Sequence, residues 1–157
     1  MSRNNVMRRK WLIAGNDGVG KTSLASLIEE KNLKSKKSLD LQFREKTIEV
    51  SEGYIENPYL NSALIMVGQN QALVNIFMID LQRDCHFPPN FAKSFTRPTI
   101  TIINKIDLYD DVKLEKLRQR ANAIGSDYIF EISLKTGKGL EKLRKYIKGT
   151  EEKRCFL

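Results

Sequence analysis

The chain has 157 residues, 41% of them apolar and 29% charged, and a formal net charge of +8. This is one domain's worth, long enough to bury a core without disulfide staples, and no run of 18 apolar residues is present to cross a membrane. Two cysteines, Cys85 and Cys155, are too few for a disulfide framework and lack metal-site spacing, which points to a reducing, cytoplasmic setting.

The chain divides into a basic arm over 1–9, a domain over 10–149 and a tail over 150–157. The arm has no apolar segment and cleavage site behind it, so it is not read as a signal peptide. A short apolar strand over 10–15 runs into a glycine loop, and Leu24, Leu27 and Ile28 recur at helical spacing within 20–31. Segments 39–43 and 47–50 alternate in the strand manner around a charged turn at Arg44, Glu45 and Lys46. Pro58 opens a helix over 59–67, and 73–79 is an apolar run of the kind found in a strand covered on both faces. A helix over 89–95 and a β-branched strand over 99–103 follow. Next come an amphipathic helix over 112–124 stopped by Gly125, a sixth strand over 128–132 and a last helix over 139–147. Strands alternating with helices predict βαβ units and a mostly parallel sheet between two helical layers.

The stretch Gly15-Asn16-Asp17-Gly18-Val19-Gly20-Lys21-Thr22 fits G-x-x-x-x-G-K-[ST] throughout, with a strand before it and a helix after it. Such a loop turns its backbone N–H groups toward phosphate oxygens, and the helix behind it adds its positive end. Lys21 is then expected at the β- and γ-phosphates, the Thr22 hydroxyl on Mg²⁺, and Ser23 beside them. Further on, Asn104-Lys105-Ile106-Asp107 follows directly from a buried strand, the guanine-reading signature of Ras-like GTPases. A carboxylate at Asp107 can accept from both guanine N1–H and the 2-amino group, a pair of donors that adenine lacks. Lys105 would lay its stem over the base, and Asn104 would tie this loop to the phosphate loop. Ser133-Leu134-Lys135 resembles the Ser-Ala-Lys loop whose backbone N–H meets guanine O6.

Beyond these motifs the chain resembles the EutP/PduV family, small P-loop proteins of ethanolamine and propanediol utilisation in bacterial microcompartments. The resemblance rests on Glu52-Gly53-Tyr54-Ile55-Glu56-Asn57-Pro58, on Tyr59 to Leu64, and on Phe87-Pro88-Pro89-Asn90-Phe91-Ala92. It implies a role in ethanolamine or propanediol degradation, with shell proteins as partners. With the motifs above, the expectation is a three-layer P-loop fold of the Ras-like GTPase type with six strands, and GTP or GDP with Mg²⁺ as ligands. Slow GTP hydrolysis is expected from departures at Val50, Tyr54 and Asp17. The family pattern Asp-Thr-Pro-Gly-Glu, aligned on Val50-Ser51-Glu52-Gly53-Tyr54, puts Val50 where an Asp holds Mg²⁺ through water and Tyr54 where a Glu or Gln orients water. Glu49 is expected to face away from that place, because neighbouring side chains of a strand point oppositely. Glu52 and Tyr54 stand as the catalytic candidates, Ser38 as the switch hydroxyl on Mg²⁺, and Asp17 as a carboxylate opposing the charge of the transition state.

Two rival functions are a nucleotide-binding scaffold without turnover and a small-molecule kinase. The basic residues are not interleaved with stacking aromatics, so nucleic acid is not an expected partner. His86 is read as an ordinary loop residue; Phe87, Phe91 and Phe95 are read as core; and 151–157 is read as a disordered tail. Cys155 is third from the end, one place off a prenylation box.

Overall fold

The computed structural model describes residues 8–36, 38–82 and 87–154. Six strands form one sheet: β1 (Lys10–Gly15), β2 (Gln42–Phe43), β3 (Thr47–Val50), β4 (Ala72–Ile79), β5 (Thr99–Ile103) and β6 (Tyr128–Glu131). Their order is β2-β3-β1-β4-β5-β6, and every pairing is parallel except the β2–β3 hairpin. This is the mostly parallel, six-stranded Ras-like order that the sequence predicts. Its helices are α1 (Lys21–Glu29), α2 (Gly53–Glu56), α3 (Pro58–Asn70), α4 (Asp111–Ile124) and α5 (Leu140–Arg154).

The central strands read as unbroken apolar runs because helices cover both of their faces. Alternation along β1 sorts its side chains into two cores. Trp11 and Ile13 pack with Leu24, Ile28, Leu140 and Leu143 from α1 and α5. Leu12 and Ala14 pack with Leu64, Leu117 and Ile124 from α3 and α4. Phe77 of β4 is ringed by Phe87, Phe91 and Phe95, with centroids 5.2, 5.6 and 5.4 Å away. Phe91 and Phe95 are core, as expected, and Phe87 is half-buried against it. Only one 3₁₀ turn, Phe91–Ser94, is helical there, where the sequence predicted a helix over 89–95.

Helix ends follow local chemistry. Asn57 accepts from the Tyr59 amide at 3.0 Å, with Pro58 at the first turn of α3. Asp110 accepts from the Lys113 amide at 2.8 Å, and Gly125 closes α4 at φ 79. Two boundaries differ from expectation. Of 39–43 only Gln42 and Phe43 pair with β3, and Leu39 is 97% exposed. The final helix continues to Arg154, so 151–154, expected as part of a disordered tail, is helical. Tertiary contacts extend it: Trp11 Nε1 donates to Glu151 at 2.7 Å, and Arg8 and Arg154 pair with the same carboxylate. At the start of the chain Arg9 donates to the carbonyls of Gln69, Asn70 and Ala72, so the described end of the basic arm is anchored. His86, Cys85 and the terminal Cys155 to Leu157 lie outside the described residues.

Candidate functional site

The C-terminal ends of β1, β3, β4 and β5 meet at one edge of the sheet, where parallel α/β folds place their ligands. The Gly15–Thr22 loop leaves β1 there. Gly18 and Gly20 take φ values of 82 and 111, which suit glycine alone without strain. Gly20 has a second constraint, because a Cβ on it would lie 2.5 Å from Asn104 Nδ2. The Lys21 ammonium is buried and donates to the Gly15 carbonyl at 2.6 Å, with Asp17 Oδ1 at 3.7 Å. Burial pulls its pKa below the ordinary lysine value, while the carboxylates of Asp17, Glu49 and Glu52 pull it back up.

Glu49 is where the sequence reading needs correction. Neighbouring side chains of β3 do point oppositely, but Val50 is the one that faces away: it is fully buried in the core with Leu12, Ala14 and Ile55. Glu49 turns to the loop and accepts from Thr22 Oγ1 at 2.8 Å. Its other oxygen takes Arg44 Nη1 at 2.9 Å, and Arg44 Nη2 is held by Gln42 at 2.8 Å. The carboxylate beside Thr22 is therefore Glu49, one residue before Val50. Tyr54 turns to the segment before β2. Its phenol donates to Asp40 at 3.1 Å, and burial followed by that contact raises its pKa.

Glu52 lies at the loop itself, accepting from the Asp17 amide at 2.9 Å. Ser38 lines the same cleft of about 410 Å³ as Asp17, Lys21, Thr22 and Glu49. Its hydroxyl accepts from the Asp40 amide at 3.2 Å.

A second cleft of about 320 Å³ shares Gly18, Gly20 and Ser23 with the first and is bordered by Asn104, Lys105, Asp107, Ser133, Leu134 and Lys135. Asn104, 3% exposed, joins three segments. Its side chain donates to the Val19 carbonyl at 2.8 Å and accepts from the Leu134 amide at 3.1 Å, and its own amide donates to Ile79 at 3.1 Å. The expected tie between the two loops is present. Lys105 sits at φ 64 and donates to the Gly18 carbonyl and to Gln82, each at 2.6 Å, with Asp80 at 2.9 Å. Asp107 is exposed on a 3₁₀ turn, its carboxylate open to a ligand. Ser133 is fully buried and accepts from the Thr136 amide at 3.1 Å, which shapes the loop that carries Leu134 and Lys135.

Sequence reasoning missed Arg44, Asp80 and Gln82. Asp80 had a readable signal, a carboxylate ending an apolar strand at the ligand-bearing edge of the sheet. Chemically, the first cleft pairs a buried cation with hard oxygen donors, and the second offers an exposed carboxylate beside backbone N–H groups.

Comparison with known proteins agrees with this architecture. The family described as ethanolamine utilisation – propanediol utilisation, PduV-EutP, matches residues 7–149. The chain is 26% identical to the propanediol utilization protein PduV of Citrobacter freundii over 145 residues, 92% of this chain and 96% of that protein. Over 52 residues, 32% of this chain, it is 44% identical to the small ribosomal subunit biogenesis GTPase RsgA of Thermotoga neapolitana, a match spanning 18% of that longer protein. In fold it is similar to a probable GTP-binding protein engB, with a TM-score of 0.61 at 17% identity over 92% of this chain and 99% of that one. The architecture is that of a P-loop GTPase, and the chain belongs to the PduV-EutP family.

Proposed function

We propose that this protein binds guanine nucleotides together with Mg²⁺ and hydrolyses GTP slowly, in the service of ethanolamine or propanediol degradation and at or near a bacterial microcompartment in the cytoplasm. The observation that carries the reading is the bridge at Asn104, which holds the Asn104–Asp107 loop beside the Gly15–Thr22 loop, where two clefts of different chemistry share Gly18, Gly20 and Ser23. In it Asp107 accepts from guanine N1–H and the 2-amino group, the Lys105 stem covers the base, and the Ser133–Lys135 loop presents an N–H to O6. The Gly15–Thr22 loop would turn backbone N–H groups to the phosphates, with the Asp17 amide held by Glu52 in the structure, and Lys21 supplies the buried positive charge.

The residues also fit Mg²⁺. Thr22 Oγ1 and Glu49 Oε1 lie 2.8 Å apart, a hydroxyl and a carboxylate of the kind this hard cation takes with phosphate and water completing its shell. When bound, the ion offsets phosphate charge. Slow turnover is expected from the chain's own charges, because Asp17, Glu49 and Glu52 crowd the place where negative charge develops. Shell proteins as partners are inferred from the family relationship.

Calorimetric titration tests the base and a single-turnover assay tests the rate. GDP and GTP should bind at least a hundredfold tighter than ADP and ATP, with unaided turnover at about 10⁻⁴ per second, as for Ras-like enzymes. Equal affinity for ATP and GTP would overturn the guanine assignment. Turnover near one per second, ordinary for dedicated enzymes, would overturn slow hydrolysis.

A further inference from the structure

The two clefts share Gly18, Gly20 and Ser23, but Asp17 borders only the one remote from Asp107. A nucleotide with its base at Asp107 therefore runs its phosphates past Gly20 and Lys21, and the last phosphate of the longest nucleotide arrives at Asp17. The amide there is already taken, since Asp17 N–H donates to Glu52 Oε2 at 2.9 Å. An N–H held by a carboxylate oxygen is making the kind of bond that a phosphate oxygen makes with such a loop.

We propose that Glu52 discriminates between nucleoside diphosphate and triphosphate, because its carboxylate occupies the phosphate-loop amide that a terminal phosphate must take over. The assignment rests on the nucleotide reading above and goes beyond it by naming the residue that sets phosphate number. A diphosphate ends short of the Asp17 amide and leaves the Glu52 contact in place. A triphosphate brings a further anionic group onto the same amide, and two anions cannot share one donor at hydrogen-bond distance. Glu52 must then move out.

The three carboxylates near Lys21 are not equivalent in this respect. Glu49 is fixed by Thr22 and Arg44. The Asp17 side chain is exposed and blocks no loop amide in the structure. Glu52 alone of the three accepts from a loop N–H.

Displacement of Glu52 also has a path outward. Glu52 immediately precedes α2, and its carbonyl accepts from the Ile55 and Glu56 amides. Asn61 Nδ2 donates to the carbonyls of Tyr54, Ile55 and Asn57, clamping α2 to the start of α3. Tyr54 in turn reaches Asp40. A carboxylate that leaves the loop thus pulls on a short helix that is tied through Tyr54 to Asp40 on the cleft and through Asn61 to α3.

The test is titration of wild type, Glu52→Gln and Glu52→Ala with GDP and with a non-hydrolysable GTP analogue, in Mg²⁺, with melting curves to certify folding. Both variants should raise the triphosphate-to-diphosphate affinity ratio about tenfold, the scale of one screened charge contact, with GDP affinity changed less than twofold. Gln keeps the size of the side chain and Ala does not, so equal shifts trace the effect to charge. An unchanged ratio in either folded variant, or an equal shift for both nucleotides, would overturn the assignment and leave the nucleotide site standing. Wild type that binds neither nucleotide would overturn the function proposed above and this assignment with it.

Discussion

The base side and the phosphate side of the cleft are held in opposite ways. Asn104 and Lys105 are fixed by bonds to residues 85 and 87 positions earlier, at Val19 and Gly18, and Asn104 also reaches Leu134, 30 positions later. Across the cleft, Ser38 and Asp40 hydrogen-bond to one another, two positions apart, and Asp40 also to Leu41 and to Tyr54, 14 positions away. Long-range bonds among buried groups resist local opening, whereas a segment with short-range, solvated bonds opens at little cost. On the proposed reading the base pocket is thus pre-formed, and the ligand's reorganising effect would fall on the phosphate side, where the carboxylates Asp17, Glu49 and Glu52 gather.

Substitutions can break this contrast from either side. The largest effect is expected from Lys21→Ala, which leaves the phosphates without their buried cation and should weaken GTP binding about a thousandfold. Calorimetry alongside circular dichroism checks this, and unchanged affinity in a folded variant would remove the phosphate assignment. Next is the pair Val50→Asp and Glu49→Gln. Because Val50 is fully buried among apolar side chains, Val50→Asp should cost about 3 kcal/mol or more of stability in denaturant melts. It should not reinforce metal dependence, because Val50 faces the core. Glu49→Gln, which removes the charge facing Arg44, should cost less stability than Val50→Asp and reduce the effect of Mg²⁺ on GTP affinity about tenfold. A smaller effect is expected at Gly20, where the two halves touch. Gly20→Ala combines a strained φ with a Cβ 2.5 Å from Asn104 Nδ2 and should cost about 2 kcal/mol. Gly137→Ala, with φ 85 and nothing within 4 Å of the added carbon, should cost about 1 kcal/mol. Equal losses at the two glycines would show that the Asn104 contact is loose.

What the sequence made legible was local. The Gly15–Thr22 loop, the Asn104–Asp107 loop and the strand–helix alternation each encode their geometry within a few residues, and the sheet order follows from them. Glu49 escaped because its role depends on which face of β3 meets α1. That is a matter of sheet register, and a one-residue slip exchanges core for site. Asp80 and Gln82 escaped because their place is set by contacts with Lys105, far along the chain. The length of α5 escaped because contacts at Trp11 and Arg8, about 140 residues away, carry the helix beyond its apolar stripe.

The central claim is that Asp107 reads guanine in a pocket already built around Asn104. The direct measurement is calorimetric titration of wild type and Asp107→Asn with GDP and with xanthosine diphosphate, which presents an acceptor where guanine has its 2-amino donor. The account predicts that wild type prefers GDP and that Asp107→Asn inverts the preference, losing about a hundredfold or more in GDP affinity and gaining xanthosine diphosphate, with an unchanged melting temperature. A folded Asp107→Asn variant that keeps wild-type affinity for GDP would contradict it.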